Sequence, residues 1–259
     1  MMLLSEIAKS YPDHLKGFRQ FILREYLQHK LLQITFDSEY ASQLCFLGGT
    51  CLRIVHGNAR FSEELDFDNT GLDEPAFTSI AELIKKQFEL EGYEVEMKTV
   101  FKGAYHCYIR FPELLFKEGL SGYQEEKILI QLDTEPQHFE FAPERYILNR
   151  FDVFTQINIT PLDILLAQKF YAILNRTRNK GRDFFDVVFL LSLVDKPNYD
   201  YLRQKVKIGT PEALKEAVLA RCAAINMQEM AKDVQPFLFN PADARKVTLF
   251  SKIIRQHKL

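Results

Sequence analysis

The chain has 259 residues, 47% hydrophobic and 26% charged, which supplies one large apolar core or two modest ones and excludes a disordered chain. The formal charge of −2 hides an asymmetry: residues 1–150 carry 16 Lys and Arg against 24 Asp and Glu, and residues 151–259 carry 17 against 11. An acidic half and a basic half suit the holding of a metal–phosphate complex between them, although two such surfaces also simply attract.

The N-terminal stretch MMLLSEIAKSYPDH has no basic region and meets Glu6 before an apolar run develops, so it does not read as a signal peptide. The longest apolar run, residues 187–194, is too short to span a bilayer, and a cytoplasmic protein is expected. Over residues 14–36, Leu15, Phe18, Ile22, Tyr26, Leu27 and Leu31 recur at three- and four-residue steps and predict an amphipathic helix. Residues 43–47 read as a short strand, Gly48-Gly49 as a turn, and residues 50–56 as a short helix that Gly57-Asn58 ends. A helix is expected over residues 74–90, then strands over 93–101, 104–111 and 127–133, the last from the alternation of Ile128, Ile130 and Leu132. From Pro161, PLDILLAQKFYAILNR predicts a helix, TRNKG a basic loop and RDFFDVVFLLSLV a second helix. The remainder reads as helical, punctuated by Pro197, Pro211, Pro236 and Pro241. The expected organisation is an α+β domain over residues 1–150 followed by a helical domain over 151–259. Four cysteines without CxxC spacing indicate neither a zinc site nor a disulfide framework.

Chemistry concentrates in FLGGTCLRIVHGNARFSEELDFDN, residues 46–69. A strand running through Gly48-Gly49-Thr50 into a helix offers free backbone N–H groups, and the glycines let a phosphate approach while the Thr50 hydroxyl adds a donor. About fifteen residues on, Glu64, Asp66 and Asp68 alternate with Leu65 and Phe67, so a strand would project all three carboxylates from one face. Such a cluster repels itself unless a basic side chain or a divalent cation neutralises it. Phosphate in front of carboxylates calls for metal, and two Mg²⁺ ions about 3.5–4 Å apart would hold a nucleoside triphosphate and activate an incoming hydroxyl. Arg53 and Arg60 flank the turn and serve either the phosphates or the acids of residues 63–68. His56, His106 and His138 lack metal-ligand spacing and read as structural or solvated.

GGTCLRIVHGNARFSEELDF together with PLDILLAQKFYAILNRTRNKGRDFFDVVFLL resembles the AbiEii/AbiGii-type nucleotidyltransferases, toxins of bacterial abortive-infection toxin–antitoxin pairs within the DNA polymerase β-like superfamily. The resemblance covers roughly residues 40–195. It implies a polymerase β-like sheet domain followed by a helical domain, with triphosphate held at Gly48, Gly49 and Thr50. It further implies metal at an acidic pair separated by one hydrophobe, with Lys169, Arg182 and Asp186 joining Asp66 in catalysis and Lys180 and Asp183 binding nucleotide. Where the family reads S-E-D-L-D-F, this chain has Ser62-Glu63-Glu64-Leu65-Asp66-Phe67, so Glu64 stands in the place of the first aspartate. Glutamate moves its oxygens by a methylene, which octahedral Mg²⁺ tolerates poorly, and Asp68 competes for the second position. A third carboxylate is expected from Asp133, the acid of the strand over residues 127–133, although an alignment places Gln131 at the family position.

The expected function is transfer of a nucleoside monophosphate from NTP, with Mg²⁺ or Mn²⁺, to an acceptor hydroxyl on RNA, such as a tRNA 3′ end, or on protein. The resemblance also implies a cognate antitoxin as partner, and no membrane. Two alternatives stand beside it, a nucleotide-binding module without transfer activity and a small-molecule nucleotidyltransferase of the antibiotic-modifying kind. Read alone, Arg182 and Asp186 form an i,i+4 helix pair, and Lys169 snorkels from an apolar helix. Arg245, Lys246, Lys252, Arg255 and Lys258 lie on an expected C-terminal amphipathic helix, as a solvated face or as contacts to an RNA backbone.

Overall fold

A computed structural model describes residues 2–259, and its contacts divide the chain into two compact units. Met1–Val55 and Phe61–Ile159 form the first, His56–Arg60 and Thr160–Leu259 the second. Whereas a boundary near residue 150 is expected from composition, the contacts keep the last strand, up to Ile159, with the sheet.

The first unit contains α1 (Leu4–Lys9), α2 (Arg19–Phe36), β1 (Leu44–Leu47), α3 (Gly48–Ile54), β2 (Leu65–Asn69), α4 (Glu74–Leu90), β3 (Glu96–Lys102), β4 (Ala104–Phe111), α5 (Leu114–Lys117), β5 (Ile128–Glu135), β6 (Glu144–Arg150) and β7 (Val153–Ile159). Its strands form one mixed sheet in the order β3-β4-β5-β2-β1-β7-β6, so the carboxylate strand β2 is central. β2 runs parallel to β5 and β1 parallel to β7, while the other pairs are antiparallel. The sheet is two-faced in the way period-two alternation demands. Phe46, Leu65, Phe67, Ile130, Leu132, Ile109 and Ile157 are buried, and α2 packs on β5 and β7 while α4 packs on β3 and β4. Each such side chain contributes about 1.5–3 kcal/mol on burial.

Three local differences from the sequence reading have plain causes. α2 begins at Arg19, because residues 13–15 form a separate 3-10 turn before Gly17. β6 and β7 were not foreseen. β7 does alternate, with Val153, Thr155, Ile157 and Ile159 buried, but β6 lies at the sheet edge and its ERYILNR carries few apolar residues to reveal it. The C-terminal basic stretch forms two short helices rather than one.

The second unit contains α6 (Leu162–Asn175), α7 (Gly181–Leu190), α8 (Tyr199–Val206), α9 (Pro211–Ala223), α10 (Met227–Val234), α11 (Arg245–Thr248) and α12 (Phe250–Gln256). Leu166, Phe170, Phe184, Leu202, Leu214, Val218 and Phe250 form its core. α7 meets α10 at Gly181, where a Cβ would come within 1.8 Å of the Met230 carbonyl oxygen, so only glycine admits this approach. None of the described helices is long and apolar enough to cross a membrane.

A buried carboxylate, Glu25 on α2, ties several segments of the first unit together. Arg53 donates to both of its oxygens, at 2.8 and 3.1 Å, Arg150 donates at 2.9 Å and the Tyr11 hydroxyl at 2.8 Å. Burial raises its pKa, but the Arg53 charge and hydrogen bonds, with Arg150, outweigh burial and hold the carboxyl below its ordinary value. One turn on, His29 is buried and its Nδ1 lies 2.7 Å from the Glu25 carbonyl oxygen, which makes Nδ1 the protonated nitrogen of a neutral ring. Burial, opposed by Glu25, lowers the His29 pKa from 6.5 to about 4. The unfolded chain therefore binds a proton between pH 6.5 and about 4 that the folded one refuses, and stability falls as pH drops through that window. The Glu25 contribution is lost only below its own ordinary value of 4.5. His29→Gln should flatten the dependence of melting temperature on pH between 6.5 and about 4 relative to the unmodified chain. An unchanged slope would place the proton uptake elsewhere.

Candidate active site

Gly48 ends β1 in a left-handed conformation, φ +78°, and a Cβ there would lie 2.1 Å from Oδ2 of Asp66. The pairing of Leu47 with Asp66 brings the two together, because in antiparallel strands opposed residues share a face. The glycine turn and the central carboxylate thus lie in contact. Thr50 has a different use from the expected one: it is fully buried and its hydroxyl donates to the Glu64 carbonyl oxygen, which fastens α3 to the entry of β2.

The carboxylates separate into distinct environments. Glu64 precedes β2, so only Asp66 and Asp68 belong to the strand and share its face. Asp66 is half-buried, and in the parallel β2–β5 pairing it stands directly beside Asp133. Asp133 is in turn opposite His106 on β4. The His106 Nδ1 lies 2.7 Å from one Asp133 oxygen, and the Gln131 amide donates to both at 2.9 Å. Gln131 and Asp133, the two residues that competed for the third position, are therefore partners on one strand face. Asp68 is only 3% exposed and accepts a hydrogen bond from the Gln137 backbone at 2.8 Å, away from the Gly48 turn.

Among the described residues no group of three or more His, Cys, Asp or Glu side chains is placed to hold a metal ion. The donor set still suits a hard divalent cation in kind, since Mg²⁺ characteristically uses one or two protein carboxylates and completes its shell with phosphate and water. Asp66 and Asp133 are adjacent oxygen donors of that kind, beside a turn kept clear of side chains at Gly48.

The expected basic contributors are mostly committed to other acids. Arg53 pairs with Glu25 on α2. Within the second unit Arg60, 1% exposed, grips both oxygens of Asp186 at 2.7 and 2.6 Å, and Asn58 donates to the same carboxylate at 2.9 Å. Lys169 completes this cluster at 2.9 Å from Asp186 and 3.2 Å from Asp183, and Arg176 reaches Asp183 at 3.0 Å. Burial raises the Asp186 pKa, but Arg60 and Lys169 together hold it below its ordinary value. Asp186 and Asp183 likewise keep Lys169 above its own value, against burial. Arg182 does not pair with Asp186 as helix spacing suggested; its guanidinium lies over the Phe237 ring at 4.7 Å. Lys180 precedes α7 without a side-chain capping bond and is partly exposed, and Asp233 accepts from the Gly181 N–H at 2.7 Å.

The sequence reading set His106 aside and overlooked Glu25. The signal for His106 lay in strand register, since pairing residues 104–111 antiparallel with 128–135 places it opposite Asp133, whereas no spacing along the chain does.

The profile of the family described as Nucleotidyl transferase AbiEii toxin, Type IV TA system, matches residues 30–254. The chain belongs to this nucleotidyltransferase family. Among solved structures the AbiEii chain resembles JHP933 from Helicobacter pylori, with 15% identity, a TM-score of 0.56 and 92% of each chain covered. It also resembles a candidate nucleotidyltransferase from H. pylori at 16% identity and a TM-score of 0.55, with 92% of this chain and 95% of that one covered. At such identities the likeness speaks for the fold alone. No curated protein matches.

Two outcomes follow from the geometry. Gly48→Ala should lower the melting temperature, because a left-handed alanine costs about 1–2 kcal/mol before the clash with Asp66 is counted. Arg60→Ala should cost about 3–5 kcal/mol in denaturant unfolding by breaking a buried two-bond ion pair and leaving Asp186 to Lys169 and Asn58 alone, and the double replacement R60M/D186L should cost less than the sum of its two single replacements. Full additivity of the two losses would deny the pair.

Proposed function

We propose that this AbiEii-family chain is a metal-dependent nucleotidyltransferase that moves a nucleoside monophosphate from an NTP to an acceptor hydroxyl, and that it acts as a toxin restrained by a cognate antitoxin. The acceptor is an RNA 3′ end or a protein hydroxyl, and the setting is the cytoplasm. The observation that carries the reading is the contact of the Gly48 turn with Asp66, since a nucleoside triphosphate must touch a clear backbone and a carboxylate centre at once. Asp66 and Asp133 would hold the divalent ion, with Glu64 at the entry of β2 as a further candidate ligand. Bound there, such an ion neutralises the triphosphate and favours ionisation of the attacking hydroxyl.

The acceptor oxygen bonds to the α-phosphorus as the bond from that phosphorus to the bridging oxygen of the leaving pyrophosphate breaks, and the hydroxyl proton passes to solvent or base. The roles left to this chain are positional. Gly48 and Gly49 admit phosphate, and Thr50 and Arg53 anchor α3 through Glu64 and Glu25. Gln131 and His106 orient Asp133. Lys180 and Arg182 keep, in this reading, the nucleotide-binding and catalytic roles that the family resemblance implies for them. Lys169, Asp183 and Asp186 support this reading as a buried cluster that fixes α6 on α7, a positioning rather than a chemical task. Asp68, held by Gln137, has a smaller claim to metal than Glu64.

Labelled NTPs incubated with total RNA or lysate test the reading. Asp66→Ala should abolish transfer while melting normally without metal, and Glu64→Asp should keep or raise the rate by restoring the shorter ligand. Normal transfer by a folded Asp66→Ala variant would overturn the mechanism, and binding of NTP without transfer would favour the nucleotide-binding module.

A further inference from the structure

A cavity of about 610 Å³ lies within the first unit, between β1 and β2 and the segment joining β5 to β6. Its walls include Cys45, Asp68, His138, Phe139, Glu140 and Phe141. Its size is that of a small-ligand site, and it combines ring faces with a few polar groups, as such sites do. Two features shape it. His138 adopts a left-handed backbone, φ 49°, a conformation costly for a non-glycine residue, at the point where the segment turns over the cavity. The Gln137 amide donates to Asp68 from the same segment, which fixes the cavity wall to the sheet.

We infer that this cavity receives a nucleobase bearing an exocyclic amine, which stacks on Phe139 or Phe141 and donates to Asp68 or Glu140. Carboxylates only accept hydrogen bonds at neutral pH, so they favour an amine edge and oppose a carbonyl edge. Stacking on phenylalanine accepts any base, which leaves discrimination to the acids. The placement agrees with the proposed reaction, on which the biological meaning of this inference rests. Asp68 lies two residues from Asp66 on the same strand face, about 6–7 Å along the strand, a step that one nucleotide spans. The base belongs either to the NTP or to the last nucleotide of an RNA acceptor.

Equilibrium dialysis of the full chain with free nucleosides tests the cavity without involving phosphate, metal or transfer. Guanosine should bind at least tenfold more tightly than inosine, which lacks only the 2-amine, or cytidine than uridine, in which a carbonyl replaces the amine and N3 carries a proton. Asp68→Asn and Glu140→Gln, the latter at an exposed position, should shrink that ratio, and Phe139→Ala should weaken all nucleosides alike. Because Asp68 is buried, its variant counts only if its melting temperature is retained, and Glu140→Gln and Phe139→Ala stand independently. Transfer assays then distinguish the source: an amine preference among the NTPs assigns the base to the donor, and one among RNAs ending in each of the four nucleotides assigns it to the acceptor. Equal binding within both nucleoside pairs, or ratios that survive all three replacements, would overturn the inference even if transfer is active. A preference in nucleoside binding with no transfer at all would instead sink the reaction and leave the cavity standing.

Discussion

The acidic centre depends on a steric condition: the backbone at Gly48 passes so close to Asp66 that no side chain can stand between them. This condition follows from ordinary sheet rules, because β1 ends opposite Asp66, the first carboxylate of β2, and must turn at once into α3. The surrounding polar contacts maintain it. Thr50 fastens α3 to the chain entering β2, and Arg53 fastens the same helix to Glu25 on α2. A seven-residue helix with few apolar residues would hold its orientation poorly on packing alone, and two directed bonds compensate.

Two buried clusters organise a small part of the charge in this protein. Glu25 gathers two arginines and a tyrosine, and Asp186 gathers Arg60, Lys169 and Asn58. Such groups gain little net energy over apolar packing but punish any arrangement that leaves one member alone. They therefore specify which segments meet. Outside these clusters lies the half-buried row of Asp66, Asp133 and His106 across three neighbouring strands, on which the proposed chemistry rests.

How much of this was legible in the sequence depends on how local its cause is. The helix over residues 74–90, β4 and the helix following Pro161 are set by periodicity and capping within a few residues and are legible in the sequence, whereas α3 already begins at Gly48, where a turn is expected, and ends at Ile54. The duplicity of Arg53 and Arg60 was visible, but not their partners, since Glu25 and Asp186 lie 28 and 126 positions away. The competition between Gln131 and Asp133 dissolves for a similar reason: both face the same side of β5, and their hydrogen bonds to each other appear only when the strand is formed. Glu64 and Asp68 differ because one precedes the strand and the other lies beneath the segment that follows β5, which alternation cannot express.

The assignment of residues 56–60 to the helical unit bears on how the chain can be dissected. The five residues fall between α3 and β2 in the sequence, yet they carry the two side chains, Asn58 and Arg60, that neutralise and solvate Asp186. A fragment starting at Thr160 would contain every helix of that unit and keep Lys169 beside Asp186, yet lack the guanidinium that holds both oxygens of that acid. Conversely, the N-terminal portion ending at Ile159 would carry Arg60 without its acid. A single break between residues 159 and 160 therefore parts Arg60 from Asp186, and the second unit is not a continuous module of the chain.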